Sequence, residues 1–265
     1  MAARAIWKGV VKIGKTSLPV KLYSAVQDRT VHFRLLHKSD HEPVKQKLVN
    51  PETDETVESA DVQKAFPVGR GRLLMLAKEE LEEIAPKESR DIEVTRFVDP
   101  ATIDHRWYQR AYYLGPDGDN EGDYFAAAAA LEKKNKEGVA RWVMRKKEYI
   151  GALRAEEGYL MLIVLRHAEE VIDASALNAP TGRALQAREI QMAEQLVASL
   201  EDTFDPAAFQ DEYRARVMEL VELKSKGKKP KVVKFRPRKT DEDDLTDALA
   251  ASLGAQKKRG GARGR

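Results

Sequence analysis

Alternating apolar and polar residues run through most of the first 180 positions and predict a body built mainly of β-strands. Successive side chains of a strand point to opposite faces, so a period of two between glycine and proline breaks indicates a strand. Between two such runs, residues 50–54 have the composition of a turn. The predicted strands are 6–13, 19–24, 30–36, 44–49, 57–62, 73–76, 91–98, 111–114, 139–147 and 159–166.

Helical patterns interrupt this body twice and then replace it. A short helix is predicted at 78–84, and an alanine run predicts a stronger one at 123–136, with Gly138 as its C-cap. From residue 182 onward the apolar residues follow a helical period, which predicts a helix over 185–200. Asp205-Pro206 supplies an N-cap and a first-turn proline, so a second helix is predicted to start there and to run through Val221.

Together these patterns predict a mixed α+β chain, mostly β, in three parts. Residues 1–180 form the β body, 181–224 a helical C-terminal arm, and 225–265 a basic, largely flexible tail. Within the tail, 241–253 is typical of a short amphipathic helix, with Leu245, Leu249 and Leu253 on one side. Such a helix either docks on a partner protein or folds back on the body of its own chain.

Charge is distributed unevenly along the chain, although the net charge is only +3. Residues 1–50 carry 10 Lys and Arg against 3 Asp and Glu, and residues 224–265 carry 14 against 5. The middle, 51–223, has 22 basic and 35 acidic residues. Basic ends around an acidic middle indicate a polyanion as partner, with the acidic part turned away from it. A tail that merely keeps the protein in solution is the alternative for the C-terminal charges.

Catalytic, metal and membrane functions find little support. The chain has no cysteine, which fits a reducing cytoplasm, and its first residues lack the apolar run of a signal peptide. Residues 117–122 resemble the start of a calcium loop, but its twelfth position is Ala128 instead of glutamate. His32, His37 and His41 are interpreted as surface residues. We therefore predict no cofactor, no metal, no catalytic residue and no membrane segment; a magnesium-dependent nuclease remains an open alternative.

Basic residues two positions apart mark a long excursion at 44–76. Lys45 with Lys47, and Arg70 with Arg72, would each place two charges on one face of a strand. Because a strand rises about 3.3 Å per residue, a ten-residue arm reaches about 33 Å, far enough to lie along a duplex. An ordinary hairpin with solvated lysines is the alternative.

Several motifs, met in order along residues 4–224, resemble the bacterial Ku family. No single motif is specific, and it is their shared order that makes the resemblance strong. The motifs are Arg4-Ala-Ile-Trp-Lys-Gly9, Leu18-Pro-Val-Lys-Leu-Tyr-Ser24, Phe33 to His37, Ser89-Arg-Asp-Ile-Glu93, Phe97-Val-Asp99, Tyr112-Tyr-Leu-Gly-Pro-Asp117, Ala152-Leu-Arg154, Glu189-Ile-Gln-Met-Ala193, Phe204-Asp-Pro206 and Tyr213.

The resemblance implies a fold and a function. The fold would be a Ku-type β-barrel with a long strand bridge, here at about 44–76, followed by the helical arm and tail. Two copies would form a homodimeric ring on double-stranded DNA ends in non-homologous end joining, and they would recruit an ATP-dependent DNA ligase, with the leucines of 241–253 as the docking element. The alternative is a general RNA- or nucleoid-binding protein without end preference.

The expected DNA contacts are the basic residues of the N-terminal strands, the bridge and the tail. Such contacts with phosphates position a protein on DNA without reading its sequence. Many bacterial members of the family carry a Cys-x-x-Cys pair in the bridge, whereas residues 48–53 here contain no cysteine. The candidate contacts are Arg4, Lys8, Lys12, Arg34, Lys38, Lys45, Lys47, Arg70, Arg72, Lys228, Lys229, Lys231 and Lys234.

Overall fold

A computed structural model describes residues 3–118, 121–178 and 182–228. Contacts divide these residues into two compact units, one built from residues within 1–29 and 33–176, the other from 30–32 and the described residues after 176. The strands are β1 (Trp7–Ile13), β2 (Thr16–Ser24), β3 (Leu48–Val49), β4 (Thr56–Val57), β5 (Lys64–Pro67), β6 (Leu73–Leu76), β7 (Asp91–Val98), β8 (Tyr108–Pro116), β9 (Glu137–Met144), β10 (Lys147–Glu156) and β11 (Tyr159–Leu165). The helices are α1 (Lys78–Glu83), α2 (Glu121–Lys134), α3 (Ala187–Ser199) and α4 (Glu212–Ser225).

Seven strands of the first unit form a closed barrel in the order β1-β2-β8-β11-β10-β9-β7. Neighbours are antiparallel except at the pair β1 and β7, which is parallel. Period-two burial fills the interior: Leu18, Val20 and Leu22 on β2 and Leu160 and Leu162 on β11 are all buried. The mixed, mostly β fold with a barrel is therefore confirmed, and closure removes the exposed edges of an open sheet.

Helix α2 packs on the barrel with Tyr124, Ala128 and Leu131, which are all buried in the core. The buried Tyr124 hydroxyl donates to the Leu114 carbonyl and accepts from the Leu160 amide at 2.9 Å, so it joins β8 and β11 to the helix. The C-cap prediction for Gly138 is wrong. Asn135, directly after α2, takes the left-handed conformation, with φ 46°. Gly138 lies in β9, where a Cβ atom would stand 2.9 Å from Val94, so close packing explains this glycine.

The strand predicted at 139–147 corresponds to β9, whereas β10 was not predicted. Met144 pairs with Lys147, which leaves Arg145 and Lys146 as a two-residue loop, and β10 continues from there to Glu156. The prediction ran past the loop because neither residue is a usual turn former.

The segment between β2 and β7 contains much less strand than predicted. Residues 30–36 form no strand, and a single bridge joins Leu36 to Pro43. Of 44–49 only Leu48–Val49 pairs, with Thr56–Val57, and 57–62 gives way to a 3-10 turn at Ser59–Asp61. The turn at 50–54 is confirmed: the Asn50 side chain accepts from the Glu52 amide at 3.0 Å. The alternation of apolar and polar residues in these stretches therefore does not correspond to strands in a β-sheet of this protein.

The second unit contains α3 and α4, which begin later than predicted. Asp205-Pro206 starts only a 3-10 turn, Pro206–Ala208, and Asp211 is the residue that caps α4 by accepting from the Arg214 amide at 2.9 Å. Phe209 is stacked on Phe204 with ring centres 5.4 Å apart, outside the helix. In α4 Val217 is buried. The predicted helix at 241–253, with Leu245, Leu249 and Leu253, lies outside the described residues, as do Lys229, Lys231 and Lys234.

Candidate nucleic-acid interface

The strand registers bring distant parts of the sequence together at one end of the barrel. At this end β1, β7, β8 and β10 begin and β2, β9 and β11 finish, as the pairs Trp7 with Leu22, Val10 with Asp91 and Met144 with Lys147 show. The chain leaves the barrel here after Ser24 and returns at Asp91. We call this the exit end, and we call residues 33–90 the excursion.

The excursion exposes apolar side chains that the chain itself does not cover. None of its residues is buried, although α1 and the small hairpins β3–β4 and β5–β6 lie within it. An exposed apolar surface of this extent marks a site of contact with another molecule. Its thirteen exposed large apolar residues are Phe33, Leu35, Leu36, Val44, Leu48, Val49, Val62, Phe66, Val68, Leu73, Leu74, Met75 and Ile84.

Six of the predicted DNA contacts are exposed on the excursion: Arg34, Lys38, Lys45, Lys47, Arg70 and Arg72. The strand geometry assumed for four of them is wrong. Lys45 and Lys47 lie in unpaired chain before β3. Arg70 lies in the loop of the β5–β6 hairpin, where it and both its neighbours, Gly69 and Gly71, have positive φ angles. The loop presents Arg70 to solvent, whereas a strand would have aligned it with Arg72.

The predicted contacts on β1 are engaged with acidic residues of the barrel. The Lys8 ammonium lies 2.9 Å from Asp117, which also holds Lys21 at 2.8 Å. Hydrogen bonds from Lys21 and then Lys8 lower the pKa of the Asp117 carboxyl below its usual value. Lys12 pairs with Asp91 at 2.6 Å across the β1–β7 seam. Arg4, which precedes β1, and Lys228, after α4, are exposed.

The structure adds cations that the sequence pattern did not single out, above all Arg90 and Arg145 at the exit end. Both are exposed, and neither side chain bonds or pairs with any residue that the structure describes. The adjacent Lys146 lies 3.6 Å from Glu82 of α1. Arg90 and Arg145 are 55 positions apart in the acidic middle of the sequence. In the sequence, the run Arg145-Lys146-Lys147 was the one available sign of these cations. The register of the barrel strands is what brings this run close to Arg90.

The β9–β10 hairpin that carries Arg145 has an unfavourable backbone. Arg145 and Lys146 have φ angles of 54° and 60°, a conformation that favours Asn and Gly. The other two-residue hairpins of the barrel, Gly14-Lys15 and Glu157-Gly158, each place a glycine at a left-handed position. A left-handed conformation costs a non-glycine residue about 1–3 kcal/mol. The β9–β10 hairpin has this cost at both loop positions, whereas the β10–β11 hairpin has it at Glu157 alone.

The described residues offer no obvious site for metal chemistry. No group of three or more His, Asp or Glu side chains in the described ranges could hold a metal ion. The His37 ring lies 2.9 Å from Asp40, whose pKa is lowered first by the Glu42 amide and then by this contact. Buried Glu137 accepts from the Tyr108 hydroxyl at 2.7 Å and therefore has a structural partner. Within the same ranges, no helix is both long and apolar enough to cross a membrane.

Comparison with known proteins matches residues 12–193 to the family model of the Ku70/Ku80 beta-barrel domain. The chain is 36% identical to the non-homologous end joining protein Ku of Anaeromyxobacter sp. (strain K), over 97% of this chain and 88% of that protein. Non-homologous end joining protein Ku 2 of Geotalea uraniireducens (strain Rf4) is also 36% identical, over 96% and 98%. The protein Ku of Coxiella burnetii (strain RSA 331 / Henzerling II) is 32% identical, over 97% of each chain.

Exchanging Lys45 and Lys47 together for glutamate should weaken binding to duplex DNA. Each phosphate that is no longer neutralised should reduce the slope of log affinity against log salt by about 0.9. Fluorescence anisotropy on a linear duplex over a salt series measures this slope. The charge-matched control is Lys133→Glu with Lys134→Glu on α2, where both side chains are exposed. If the two double variants have the same slope of log affinity against log salt, Lys45 and Lys47 do not contact the DNA.

Proposed function

Because this chain belongs to the Ku family, we propose that it acts as a homodimeric ring that binds the ends of double-stranded DNA in non-homologous end joining. Its relatives are named for that process, and the barrel matches the DNA-repair family's own domain. The proposed place of action is the nucleoid in the cytoplasm. The general RNA- or nucleoid-binding alternative shares the cationic surface but has no need of a ring.

The observation that carries the homodimer is the exposed apolar surface of the excursion. Thirteen large apolar side chains without cover would be costly for a protein that stays single in water. A second copy offers the same surface, and a two-fold axis lets each excursion cover the other. Two barrels joined through their excursions would then enclose an opening.

Phosphate contact explains why the ring would not depend on base sequence. The cations of the excursion are exposed side chains on loops and short hairpins. Such side chains reach the backbone oxygens of any duplex, and phosphate contacts carry no sequence information. In this proposal selectivity for ends comes from topology, since a closed ring can be loaded only from a terminus.

The proposed function also needs no catalytic centre in this chain. A ring that holds a DNA end leaves strand sealing to an ATP-dependent DNA ligase. We propose that the ligase docks on the tail at Leu245, Leu249 and Leu253, which lie outside the described residues. Their spacing of four along a helical pattern supports an apolar docking face.

The central experiment compares linear and covalently closed DNA of the same sequence in a gel-shift assay. The linear form should bind, and the relaxed circle should bind only weakly, because it offers no terminus. Cutting the circle once should restore binding. If the uncut circle and a duplex RNA bind as well as linear DNA, the general RNA- or nucleoid-binding alternative is correct.

Leu74→Asp should abolish the dimer and leave the barrel intact. Leu74 is 54% exposed in β6, opposite Phe66, so a carboxylate there stays hydrated in the free chain but is costly in an apolar interface. Sedimentation velocity should show the 29.8 kDa monomer for this variant and twice that mass for the wild type. Its melting temperature should match that of the wild type at a protein concentration low enough to dissociate the dimer.

The matched control for this experiment is Ile172→Asp, at a 74% exposed apolar residue outside the excursion. This variant should remain dimeric. A wild-type protein that sediments as a monomer, or a Leu74→Asp variant that sediments as a dimer, would contradict an interface formed by the excursion.

Leu249→Asp should reduce stimulation of the ligase without changing DNA binding. The substitution places a charge in the centre of the proposed docking face. Nick- or end-sealing rates at saturating DNA occupancy measure the effect. Ala251→Asp, on the opposite side of the same helical pattern, is the control. Stimulation that is equal for both variants would show that these leucines do not recruit the ligase.

A further inference from the structure

A cavity of about 550 Å³ opens at the exit end of the barrel, between the start of β1 and the β9–β10 hairpin. Trp7 and Lys8 of β1, Glu88 and Arg90 before β7, and Arg145 of the hairpin line it. Two arginines and one glutamate therefore belong to the lining, together with Lys8, whose ammonium is paired with Asp117. Glu88 and Arg90 belong to the last residues of the excursion, and none of the six predicted contacts on the excursion lines this cavity.

The free charges of the cavity suit a phosphate group. Arg90 and Arg145 have no hydrogen-bond or ion-pair partner among the described residues, and Glu88 does not engage either of them. Lys8 shares its partner Asp117 with Lys21. Arg90 and Arg145 both line the cavity, and guanidinium groups offer the planar donor pairs that phosphate oxygens accept.

Tryptophan forms an apolar wall of the same cavity. A Cβ atom on Gly9 would lie 2.3 Å from a ring atom of Trp7, so the glycine makes room for the indole against β1. The ring also packs on the barrel core, which fixes its position. An apolar wall excludes water from that side of the cavity and strengthens the attraction between the arginines and an anion.

The strained β9–β10 hairpin independently supports a function for this cavity. Of the three two-residue hairpins of the barrel, the one that lines this cavity is the one without glycine, and both its loop residues are left-handed. Strain of this kind persists where a conformation serves a function. Here it positions Arg145 at the cavity, while Lys146 lies beside Glu82.

We propose that this cavity binds a phosphate group of DNA, with Arg90 and Arg145 as its ligands. The inference rests on the proposed function for the identity of the ligand as DNA. The shared chemistry is a phosphate, which is either the monoester at a 5′ terminus or a diester within the strand. Lys8 is paired with Asp117, so Arg90 and Arg145 against Glu88 leave one net positive charge at the cavity for either form of phosphate.

Two single substitutions in the hairpin separate strain from binding. Arg145→Asn and Lys146→Gly each install a residue that the turn favours, so both should raise the melting temperature. Only Arg145→Asn removes a phosphate ligand, and it should lower affinity for a linear duplex about tenfold, as expected for a charged hydrogen bond. Lys146→Gly should bind like the wild type. Arg90→Gln should lose affinity without gaining stability.

The probes are two linear duplexes of one sequence, with a 5′ phosphate or a 5′ hydroxyl at each end. A decrease in affinity confined to the phosphorylated duplex assigns the terminal monoester to the cavity. An equal decrease on both assigns an internal diester. If Arg145→Asn is more stable and binds both duplexes as the wild type does, the proposal is wrong. Wild-type preference for linear over circular DNA, measured in parallel, tests the proposed function separately.

Discussion

The parallel pairing of β1 with β7 is the constraint on which the rest of the first unit depends. Val10 to Ile13 align with Asp91 to Val94, and the Lys12–Asp91 ion pair of 2.6 Å spans the seam. This pairing closes the barrel. Because β2 runs antiparallel to β1, it also requires the chain after Ser24 to return to the same end from which it left. The position of both ends of the excursion at the exit end follows from this one register.

How much the sequence could predict depends on where an element finds its partner. Six of the seven barrel strands, all but β10, were predicted because their alternation reflects burial inside the same chain, as in 91–98, whose bounds coincide with β7. Alternation at 30–36 and 44–49 looks the same but belongs to side chains that this chain leaves exposed, such as Phe33 and Leu48. A local pattern does not distinguish burial in a core from burial against a second molecule.

The distribution of charge along the sequence is likewise a limited guide to the charges on the folded surface. The sequence separates basic ends from an acidic middle, and we expected the acidic middle to face away from the polyanion. In the folded protein, the basic and acidic parts of the sequence are no longer separate. Lys8 and Lys12 of the basic N-terminal segment are paired with Asp117 and Asp91 of the middle, while unpaired Arg145 comes from that middle. The order of the strands brings charges from distant parts of the sequence together. Counting charges along the sequence therefore indicates what kind of partner binds, but it does not identify the residues that contact this partner.

The cations differ in what holds them in place, and this difference orders the events of binding. Arg90, the last residue of the excursion, and Arg145 directly adjoin barrel strands, whose core is complete within one chain. Lys45, Lys47 and Arg70 lie on an excursion without a buried residue, so their arrangement would depend on the second copy that covers its apolar side chains. A single chain would thus present a preformed phosphate site at the barrel. The contacts around the duplex would become organised only on dimerisation, because the burial that fixes the excursion is supplied by the partner.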